Sequence, residues 1–597
     1  MKKALSKLLE QALVPVAGEH AGRLRHAGLE QARDARNGHY ASSAAMQLAG
    51  RLRRPPADIA EEIAAGLSQH SLIGRVETAG PGFINIWLDP EALQAELGRI
   101  VADGEAYGSS DLGAGRKVLV EFVSANPTGP LHVGHGRLAA VGDCLARLLE
   151  ATGHEVWREY YVNDAGRQLA VLGLSVWLRM VQQAGGEGAF PVGAYRGEYV
   201  AELSARMARE LPEAAEAAKR SANPGGRASR PPRRRDAFAP GNGAESPDGK
   251  DADRYVDALV NTARETLGDQ LFADIGRLAG EWVLDDIRDD LNQFGVQFDH
   301  WQSERELVTG GEIDACLEKL AGVTYRRDGA LWFPAEKYGD EKDRVVVRAD
   351  GRSTYFASDI AYHYGKRKRG ADVLLDVLGA DHHGYVGRVR AGLEALGEPP
   401  SSLEIRLVQF VALYRGGERV AMSTRGGEFE TLRNLREEVG VDAARFFYVS
   451  RAGEQHLDFD LDLARKQSSD NPVYYVQYAH ARVASLFEKM QARGMDFSPD
   501  EGSEHAGLLE HPREIDLMLA LARLPETVEQ AAVQRAPQVL AHYLIGLAQA
   551  FHGWYNHCKV LDAESGLRGA RLLLAQASGQ VLRNGLRLLG VSAPRSM

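Results

Sequence analysis

Three patterns of apolar and polar residues follow one another along the chain. Near the N-terminus, apolar residues at three- and four-residue spacing in Pro56–Leu67 predict a helix, and alternating residues in Arg75–Leu88 predict two strands around a Gly-Pro-Gly turn. The segment Gly104–Gly115, rich in Gly, Ser and Asp, is typical of a linker. The first pattern therefore predicts a small α+β domain over residues 1–110.

The second pattern begins at Lys117 and is that of a parallel sheet. KVLVEFVS is an apolar, β-branched run, a helical stretch follows over about residues 136–152, and HEVWREYYV is a second strand-like run. A strand, a helix and a strand of these lengths form a βαβ unit. Strand-like runs return in VVVRADGRSTYFASD, VLLDVLGADHHGY and EIRLVQFVALY. We therefore predict an α/β domain with a parallel sheet over residues 111–470.

A low-complexity stretch at about residues 223–251 interrupts this domain, and a third pattern follows it. The stretch is rich in Pro, Gly, Ser and Arg, so we expect an insertion that buries little surface. Its Arg233–Arg235 run is either a solvated charge run or a contact for an RNA backbone. From Asp470 onwards the apolar spacing is purely helical, which predicts an all-α domain over residues 471–597.

Charge and composition restrict the class of protein. The net charge of −11 argues weakly against nucleic acid as a partner, although a local basic surface can bind phosphate on an acidic protein. No apolar stretch reaches the roughly 18 residues that a membrane span needs, and MKKALSKLLEQAL predicts an amphipathic helix and not a signal peptide. Three widely spaced cysteines argue against a disulfide framework. We expect a cytoplasmic protein with no membrane partner.

Candidate chemistry lies where the first strand of the α/β domain ends. His132, Gly134 and His135 occupy the turn into the first helix. Ligands of open parallel sheets bind beyond the carboxyl ends of the strands, and the free N–H groups of a helix N-terminus suit phosphate. Two imidazoles at that point can donate hydrogen bonds to a triphosphate. From the residue types alone, a nucleotide site and a chance HxGH turn both remain open.

A second candidate is the glycine-rich, serine-bearing signature loop, Ala421–Gly427. It follows the strand-like QFVALY and the turn RGGER. A loop of this composition beside cations can close over phosphates, but a simple surface turn has the same composition.

Several motifs together resemble one family. EFVSANPTGPLHVGH resembles the HIGH region of class I aminoacyl-tRNA synthetases, and specifically of bacterial arginyl-tRNA synthetases. GRLAAVGDCLARLLEATGHEVWREYYVNDAGRQ, ADHHGY, VGVDAARFFYVSR and DNPVYYVQYAHAR resemble the same family. The similarity covers nearly the whole chain. It implies an N-terminal tRNA-contacting domain (1–110), a class I Rossmann-like catalytic core (111–470) and a helical anticodon-binding domain (471–597).

The resemblance also implies the residues of the site. Catalysis would involve His132, Gly134 and His135 together with Met422 and Ser423 of the signature loop. To these we add Arg425, a cation of the same loop that the resemblance itself does not imply. ATP would be bound by Pro127, Leu131, His132, Val133, Gly134 and His135. Arginine would be bound by Glu121, Asn126, His132, Tyr355, Asp359 and either His383 or His382. Tyr355 and Asp359 share one face if their stretch is helical, and carboxylates such as Asp359 and Glu121 suit a guanidinium. The tRNA would be contacted by Tyr474, Tyr478 and Trp554.

The implied activity is that of an arginine–tRNA ligase. Arginine would be activated by ATP and transferred to the 3′ end of tRNA(Arg), with release of AMP and pyrophosphate. Mg²⁺ would accompany ATP without a dedicated protein metal site, and the protein would be a monomer. The chain departs from the family at the signature loop, where Ala421 and Thr424 replace the usual lysines, and Gly129 stands where some members carry a compensating lysine. Arg419 and Arg425 are the remaining nearby cations.

Two other functions are compatible with parts of this pattern. An HxGH nucleotidyltransferase that joins a small acid to AMP needs the same turn, but it has no use for the helical domain. A synthetase-derived RNA-binding protein without activity would explain the missing lysines, but not the presence of His132, His135, Asn126 and Asp359.

Overall fold

The structure is a computed structural model that describes residues 1–18, 28–32, 35–186, 190–222, 249–420 and 430–597. For residues 249–251, 383 and 385 it describes the backbone alone. The described residues form two compact units. The first comprises Met1–Leu112, Ala151–Gly153 and Lys466–Met597, and the second comprises Gly113–Glu150 and His154–Arg465.

The N-terminal part of the first unit is a small α+β fold, as the sequence predicts. Its elements are α1 (Lys2–Ala17), β1 (Leu29–Gln31), β2 (Tyr40–Ser42), α2 (Ala44–Leu52), α3 (Pro56–Leu67), β3 (Ile73–Ala79), β4 (Phe83–Leu88) and α4 (Pro90–Asp103). The strands pair antiparallel in the order β1-β2-β4-β3. Helix α3 starts with Pro56 in its first turn, where the missing N–H costs nothing, and buries Ile59, Ile63 and Leu67 on one face.

The second unit carries the parallel sheet. Its elements are β5 (Lys117–Phe122), α5 (Val133–Ala151), β6 (Glu155–Val162), α6 (Arg167–Gln183), α7 (Glu198–Glu210), α8 (Pro212–Ala222), α9 (Gly249–Leu267), α10 (Asp269–Gln293), β7 (His300–Ser303), α11 (Glu304–Thr309), α12 (Glu312–Leu320), β8 (Tyr325–Arg327), β9 (Ala330–Phe333), β10 (Arg344–Val347), α13 (Tyr355–Lys368), β11 (Val373–Gly379), α14 (Val386–Ala395), β12 (Leu403–Val408), β13 (Val411–Arg415), β14 (Glu418–Arg419), α15 (Leu432–Val439), α16 (Val441–Val449), β15 (Leu457–Asp460) and α17 (Leu461–Arg465).

Five of these strands form the parallel sheet, in the order β12-β11-β5-β6-β7. β5 lies at its centre, which explains its continuous apolar run. Helix α5 packs closely on β5, because a Cβ at Gly142 would stand 2.3 Å from the Phe122 ring. The absence of a side chain at Gly142 therefore sets the distance between the helix and the strand that flank the HxGH turn.

The structure corrects three details of the predicted α/β domain. Of the strand-like run VVVRADGRSTYFASD, only Val345–Val347 lie in a strand, β10, which pairs antiparallel in a separate sheet with β9 and β8. The end of that run, Tyr355–Asp359, is helical and begins α13. EIRLVQFVALY divides into β12 and β13, and β13 joins β14 and β15 in a third sheet. Helix α9 begins at Gly249, near the C-terminal end of the predicted insertion. Most of that insertion, residues 223–248, lies outside the described residues.

The C-terminal part of the first unit is helical, as predicted. It comprises α18 (Pro472–Ala492), α19 (Pro499–Glu504), α20 (Pro512–Ala522), α21 (Leu524–Gln534), α22 (Pro537–His557) and α23 (Ser565–Leu588). The buried Asn584 amide on α23 donates to the carbonyls of Gly104 and Tyr107, at 2.8 and 2.9 Å. These bonds fix the start of the predicted linker against the helical part. In the part of the chain that the structure describes, no helix has the length and apolarity of a membrane span.

Candidate active site

The HxGH motif forms the turn between β5 and α5, as predicted. The backbone N–H groups of Gly134 and His135 donate to His132 Nδ1, at 3.1 and 3.3 Å, and the backbone N–H of His132 donates to His135 Nδ1, at 3.2 Å. The two rings stack with centroids 3.6 Å apart. Because each Nδ1 accepts from the backbone, the proton of each neutral ring belongs on Nε2. The motif therefore holds two imidazoles with Nε2–H groups as donors.

Both imidazoles are neutral at neutral pH. Burial lowers the pKa of His132, and burial together with the neighbouring His132 lowers the pKa of His135 well below its usual range. Pro127, Leu131 and Val133 are buried around the turn. Asn126 lies exposed at its start, where its carbonyl accepts from the Thr128 N–H at 2.8 Å.

The chain that follows the signature loop is bonded to the HxGH motif. The N–H of Leu432 donates to the Leu131 carbonyl at 2.8 Å, the N–H of Val133 donates to the Glu430 carbonyl at 3.2 Å, and His132 forms a β-bridge with Thr431. The loop residues with predicted roles, Met422, Ser423 and Arg425, lie outside the described residues. The exit of the loop is thus fixed beside the two histidines.

The backbone beyond β5 is strained. Val123 and Ser124 have φ of 69° and 41°, a region that β-branched residues such as valine rarely adopt. The strained turn is held by the Ser124 hydroxyl, which donates to Glu121 Oε1 at 2.9 Å and accepts from the Tyr161 N–H at 3.1 Å. The strain thus sets the direction in which the chain leaves the sheet toward Asn126 and the histidines.

Helix α13 carries the predicted arginine ligands. Its N-cap is Thr354, whose hydroxyl accepts from the Ala357 N–H at 3.4 Å. Tyr355 and Asp359 lie one turn apart, and Tyr355 is 68% exposed whereas Asp359 is half-buried. The two residues are therefore on one helix and share a face, although the run that contains them was predicted to be strand-like.

Sequence reasoning missed a second acid beside Asp359. Glu304, the first residue of α11, is 7% exposed. Burial, with smaller contributions from Asp164 and Asp359, raises the pKa of Glu304 to about 7. The pKa of Tyr161 is also raised, mainly by burial. Smaller contributions come from the negative charges of four nearby acids, Glu304, Asp359, Glu121 and Asp164. Several acids thus act on one point at this end of the sheet, which suits a cationic ligand.

Three buried acids lie side by side on neighbouring strands. Glu159 on β6, Glu121 on β5 and Asp376 on β11 are direct partners in the parallel pairing. We call them the carboxylate row. Each is the only acid in a strand segment rich in apolar and aromatic residues, VWREYYV, VLVEFV and VLLDVLG. A single acid within each of three strand-like runs is therefore a sequence signal that could have predicted the carboxylate row.

Helix α13 covers the row with polar side chains. The Lys366 ammonium binds Glu121 Oε2 and lies 3.1 Å from Asp376 Oδ1. The Tyr362 hydroxyl lies 2.9 Å from Glu121 Oε2 and 2.7 Å from Glu159 Oε1. Glu121, His363 and Asp376 have the spacing of a metal site, but the ammonium of Lys366 already supplies a cation to two of them. Both oxygens of Glu121 are thus engaged by protein groups.

The aromatic residues predicted to contact tRNA divide into two kinds. Tyr474 and Tyr478 stack on α18 with ring centroids 6.0 Å apart, and Tyr478 is 39% exposed. Trp554 is fully buried beside Phe551, so the prediction that it stacks on a tRNA base is wrong. Helical spacing placed Trp554 on α22 correctly but did not show which face of that helix the bundle covers.

The remaining arginine candidates lie in the segment after β11. His382 is exposed, with Nε2 at 3.9 Å from Asp381 Oδ2, and the side chain of His383 is outside what the structure describes.

A parallel sheet with HxGH at the start of a helix, followed later in the chain by a helical domain, defines the class of protein. The family model for the catalytic domain of class I tRNA synthetases (R) matches residues 96–219. The model for the arginyl tRNA synthetase N terminal domain matches residues 1–88, and that for the DALR anticodon binding domain matches residues 476–597. The chain has the fold of a class I aminoacyl-tRNA synthetase, as predicted.

Similar proteins identify the family within this class. The chain is 50% identical to an arginine–tRNA ligase of Thioalkalivibrio sulfidiphilus and to one of Halorhodospira halophila, in both cases over 100% of each chain. The solved structure of Thermus thermophilus arginyl-tRNA synthetase shares the fold, with a TM-score of 0.71 at 24% identity over 100% of each chain. The chain belongs to the arginyl-tRNA synthetase family and is an arginine–tRNA ligase, which confirms the predicted family and activity.

Proposed function

We propose that the HxGH turn and the carboxyl ends of β5, β6 and β11 form the site at which this ligase makes arginyl-adenylate. A carboxylate oxygen of arginine attacks the α-phosphorus of ATP, and pyrophosphate leaves. The terminal ribose hydroxyl of tRNA(Arg) then attacks the arginyl carbonyl, and AMP leaves. Described residues contribute positioned donors and negative charge, so the rate enhancement comes from positioning and electrostatic stabilisation.

The observation that carries this proposal is the fixed pair of Nε2–H donors in the HxGH turn. His132 and His135 are held by three backbone hydrogen bonds and by each other's ring. Their donors need no reorganisation when negative charge grows on the phosphate oxygens, which is the condition for transition-state stabilisation. Gly134 allows the backbone to approach the nucleotide, and Pro127, Leu131 and Val133 support the turn from below.

ATP enters this site with Mg²⁺. His132 and His135 offer N–H donors, which suit phosphate oxygens, so the oxygen ligands of the ion are those of ATP and water. The signature loop holds the pyrophosphate part of ATP through Met422, Ser423 and Arg425. This role is supported by the hydrogen bonds between the chain that follows the loop and the HxGH turn. The guanidinium of Arg425 takes the place of the usual lysines and can make two hydrogen bonds to one phosphate.

Arginine lies with its guanidinium against α13. Asp359 makes the principal ionic contact, and Tyr355, one turn away on the same helix, covers the substrate. Glu121 adds a neighbouring buried charge, while both of its oxygens stay bound to Ser124, Tyr362 and Lys366. Asn126, His132 and His383 bind the α-amino and carboxylate end.

The tRNA binds along the first unit. Tyr474 and Tyr478 stack on unpaired anticodon bases, because an exposed aromatic face accepts any base. The N-terminal domain (1–110) contacts the body of the tRNA, the core (111–470) carries the chemistry, and the helical domain (471–597) binds the anticodon. We also propose that the enzyme acts as a monomer in the cytoplasm.

Asp359→Asn tests the arginine site. The change keeps the shape and removes the charge, and the loss of a buried charged partner costs about 2–5 kcal/mol. The KM for arginine should rise at least about tenfold in tRNA-dependent pyrophosphate exchange, while the KM for ATP stays near the wild-type value. Asp350→Asn, at an exposed acid in the same unit, is the control and should change neither KM. Equal increases in both KM values for Asp359→Asn would contradict the assignment.

A further inference from the structure

Lys366 is a fully buried cation that the proposed reaction does not use. Its side chain is 0% exposed, and its ammonium sits between Glu121 and Asp376. Burial alone would lower the pKa of Lys366, but Asp376 and Glu121 raise it, so the ammonium stays charged. A buried cation of this kind is costly unless it is fully paired, and here both partners are equally buried.

The carboxylate row explains why a cation is needed at this point. Neighbouring parallel strands lie about 4.8 Å apart, so Glu121 and Asp376 would repel each other as direct partners. The ammonium of Lys366 lies between the two carboxylates and forms an ion pair with each of them, which offsets this repulsion. Burial opposes ionisation of Asp376, but Lys366 and His363 outweigh it and hold the pKa of Asp376 below its usual range.

The same helix presents the arginine ligands and Lys366. Tyr355 and Asp359 lie on the first turns of α13, and Lys366 lies two turns beyond Asp359. His363 joins the two regions, because its Nδ1 is 2.7 Å from the Asp359 carbonyl oxygen and its Nε2 is 2.8 Å from Asp376 Oδ2. The ion pairs of Lys366 therefore fix α13 to β5 and β11 directly behind the arginine site.

We propose that Lys366 is a positioning residue for arginine selection, which holds the Glu121 carboxylate in place near the guanidinium-binding Asp359. The inference rests on the proposed arginine site. Lys366 touches no substrate; it acts through Glu121, whose other oxygen is bound by Ser124. With Lys366 in place, both oxygens of Glu121 are held, so the position of its carboxylate is fixed.

Other groups face the same carboxylates and belong to the charge balance. Besides Lys366, the groups that face Glu121 are Tyr362, Ser124, Asp376 and Glu159. Asp376 is also faced by His363. Glu159 is also faced by Tyr362, by Arg369 at 2.6 Å and by His300 at 4.0 Å. Without the ammonium, Glu121 and Asp376 are a carboxylate pair that must take up a proton as the pH falls. The site then loses negative charge and binds a cationic substrate less well.

Lys366→Met is the first test, because methionine has a similar volume and no charge. We expect the KM for arginine to rise at least about tenfold, with the KM for ATP within about twofold of wild type. The kcat/KM for arginine should also fall more steeply between pH 8 and pH 6 than it does in wild type. Lys368→Met is the matched control, since it makes the same change at an exposed lysine of the same helix, and it should behave like wild type.

Lys366→Met/Asp376→Asn separates positioning from charge balance. It removes the repulsion between Glu121 and Asp376, so the thermal midpoint should return toward wild type even if Lys366→Met itself fails to fold. If Lys366 positions Glu121, the KM for arginine stays raised in the double variant. Recovery of both the midpoint and that KM would overturn the inference. An unchanged KM for arginine in Asp359→Asn would instead refute the proposed arginine site on which the inference rests.

Discussion

Glu304 combines deep burial with a neighbouring acid, and its substitution gives a sharp test of the site's electrostatics. The pKa of Glu304 rises from an ordinary value of 4.5 to about 7. Its protonated form is favoured in the folded protein, so ionisation destabilises the fold as the pH rises from 4.5 through 7. The full cost above pH 7 is about 3 kcal/mol, at about 1.4 kcal/mol for each pH unit.

Glu304→Gln removes that cost and keeps the shape of the side chain. At pH 8 the thermal midpoint of unfolding should rise by about 3–6 °C relative to wild type, and at pH 4.5, where the carboxyl is protonated, the two proteins should unfold at nearly the same temperature. The stabilisation should be accompanied by a higher KM for arginine, since the ionised carboxylate near Asp359 attracts a cation. Scanning calorimetry at both pH values and tRNA-dependent pyrophosphate exchange measure these effects.

Glu306→Gln is the control for Glu304→Gln. Glu306 lies on the same short helix but is exposed, so its substitution should leave the midpoint unchanged at both pH values. An equal gain in the midpoint of Glu304→Gln at pH 4.5 and pH 8 would show that packing, and not ionisation, is responsible. That result would refute the electrostatic argument.

Three further predictions concern the histidines, the tRNA surface and the trigger of activation. His132→Ala or His135→Ala should lower kcat for adenylation by about 10²-fold or more, as expected for a lost transition-state donor. Assays of adenylate formation measure this, and an unchanged kcat in both variants would contradict the catalytic roles of the two histidines. Tyr478→Ala should raise the KM for tRNA without changing the thermal midpoint, whereas Trp554→Ala should destabilise the protein by about 3–5 kcal/mol through a core cavity; the reverse pattern would refute our assignment of the two faces. Arginine-dependent pyrophosphate exchange should be negligible without tRNA and strong with it, because we propose that tRNA binding is coupled to adenylate formation; full exchange in RNA-free enzyme would exclude this coupling.

Local sequence patterns were sufficient for the elements that flank the HxGH turn. The apolar run of β5 and the helical spacing after it placed His132 and His135 at a strand-to-helix turn. This inference succeeds because strand and helix periodicity depend on residues close together in the chain. The four-residue spacing of Tyr355 and Asp359 implied a shared face only if their run was helical, and the run itself was predicted to be strand-like.

The partners of these residues depend on strand register, which local patterns do not show. Lys366 and Glu121 are separated by 245 residues, and their contact follows from the pairing of β5 with β11 and the packing of α13 over both. The orientation of the histidine rings depends in the same way on backbone hydrogen bonds within a turn. Trp554 illustrates a third limit, since the periodicity of α22 was correct but the buried face was set by neighbouring helices.

Aminoacylation of total tRNA with each amino acid in turn measures the substrate specificity of the enzyme directly. We expect the wild-type enzyme to attach arginine to tRNA and not to attach the other amino acids. We also expect Asp359→Asn to require a much higher arginine concentration for the same rate. Charging with a different amino acid, or equal charging by wild type and Asp359→Asn at limiting arginine, would contradict these expectations.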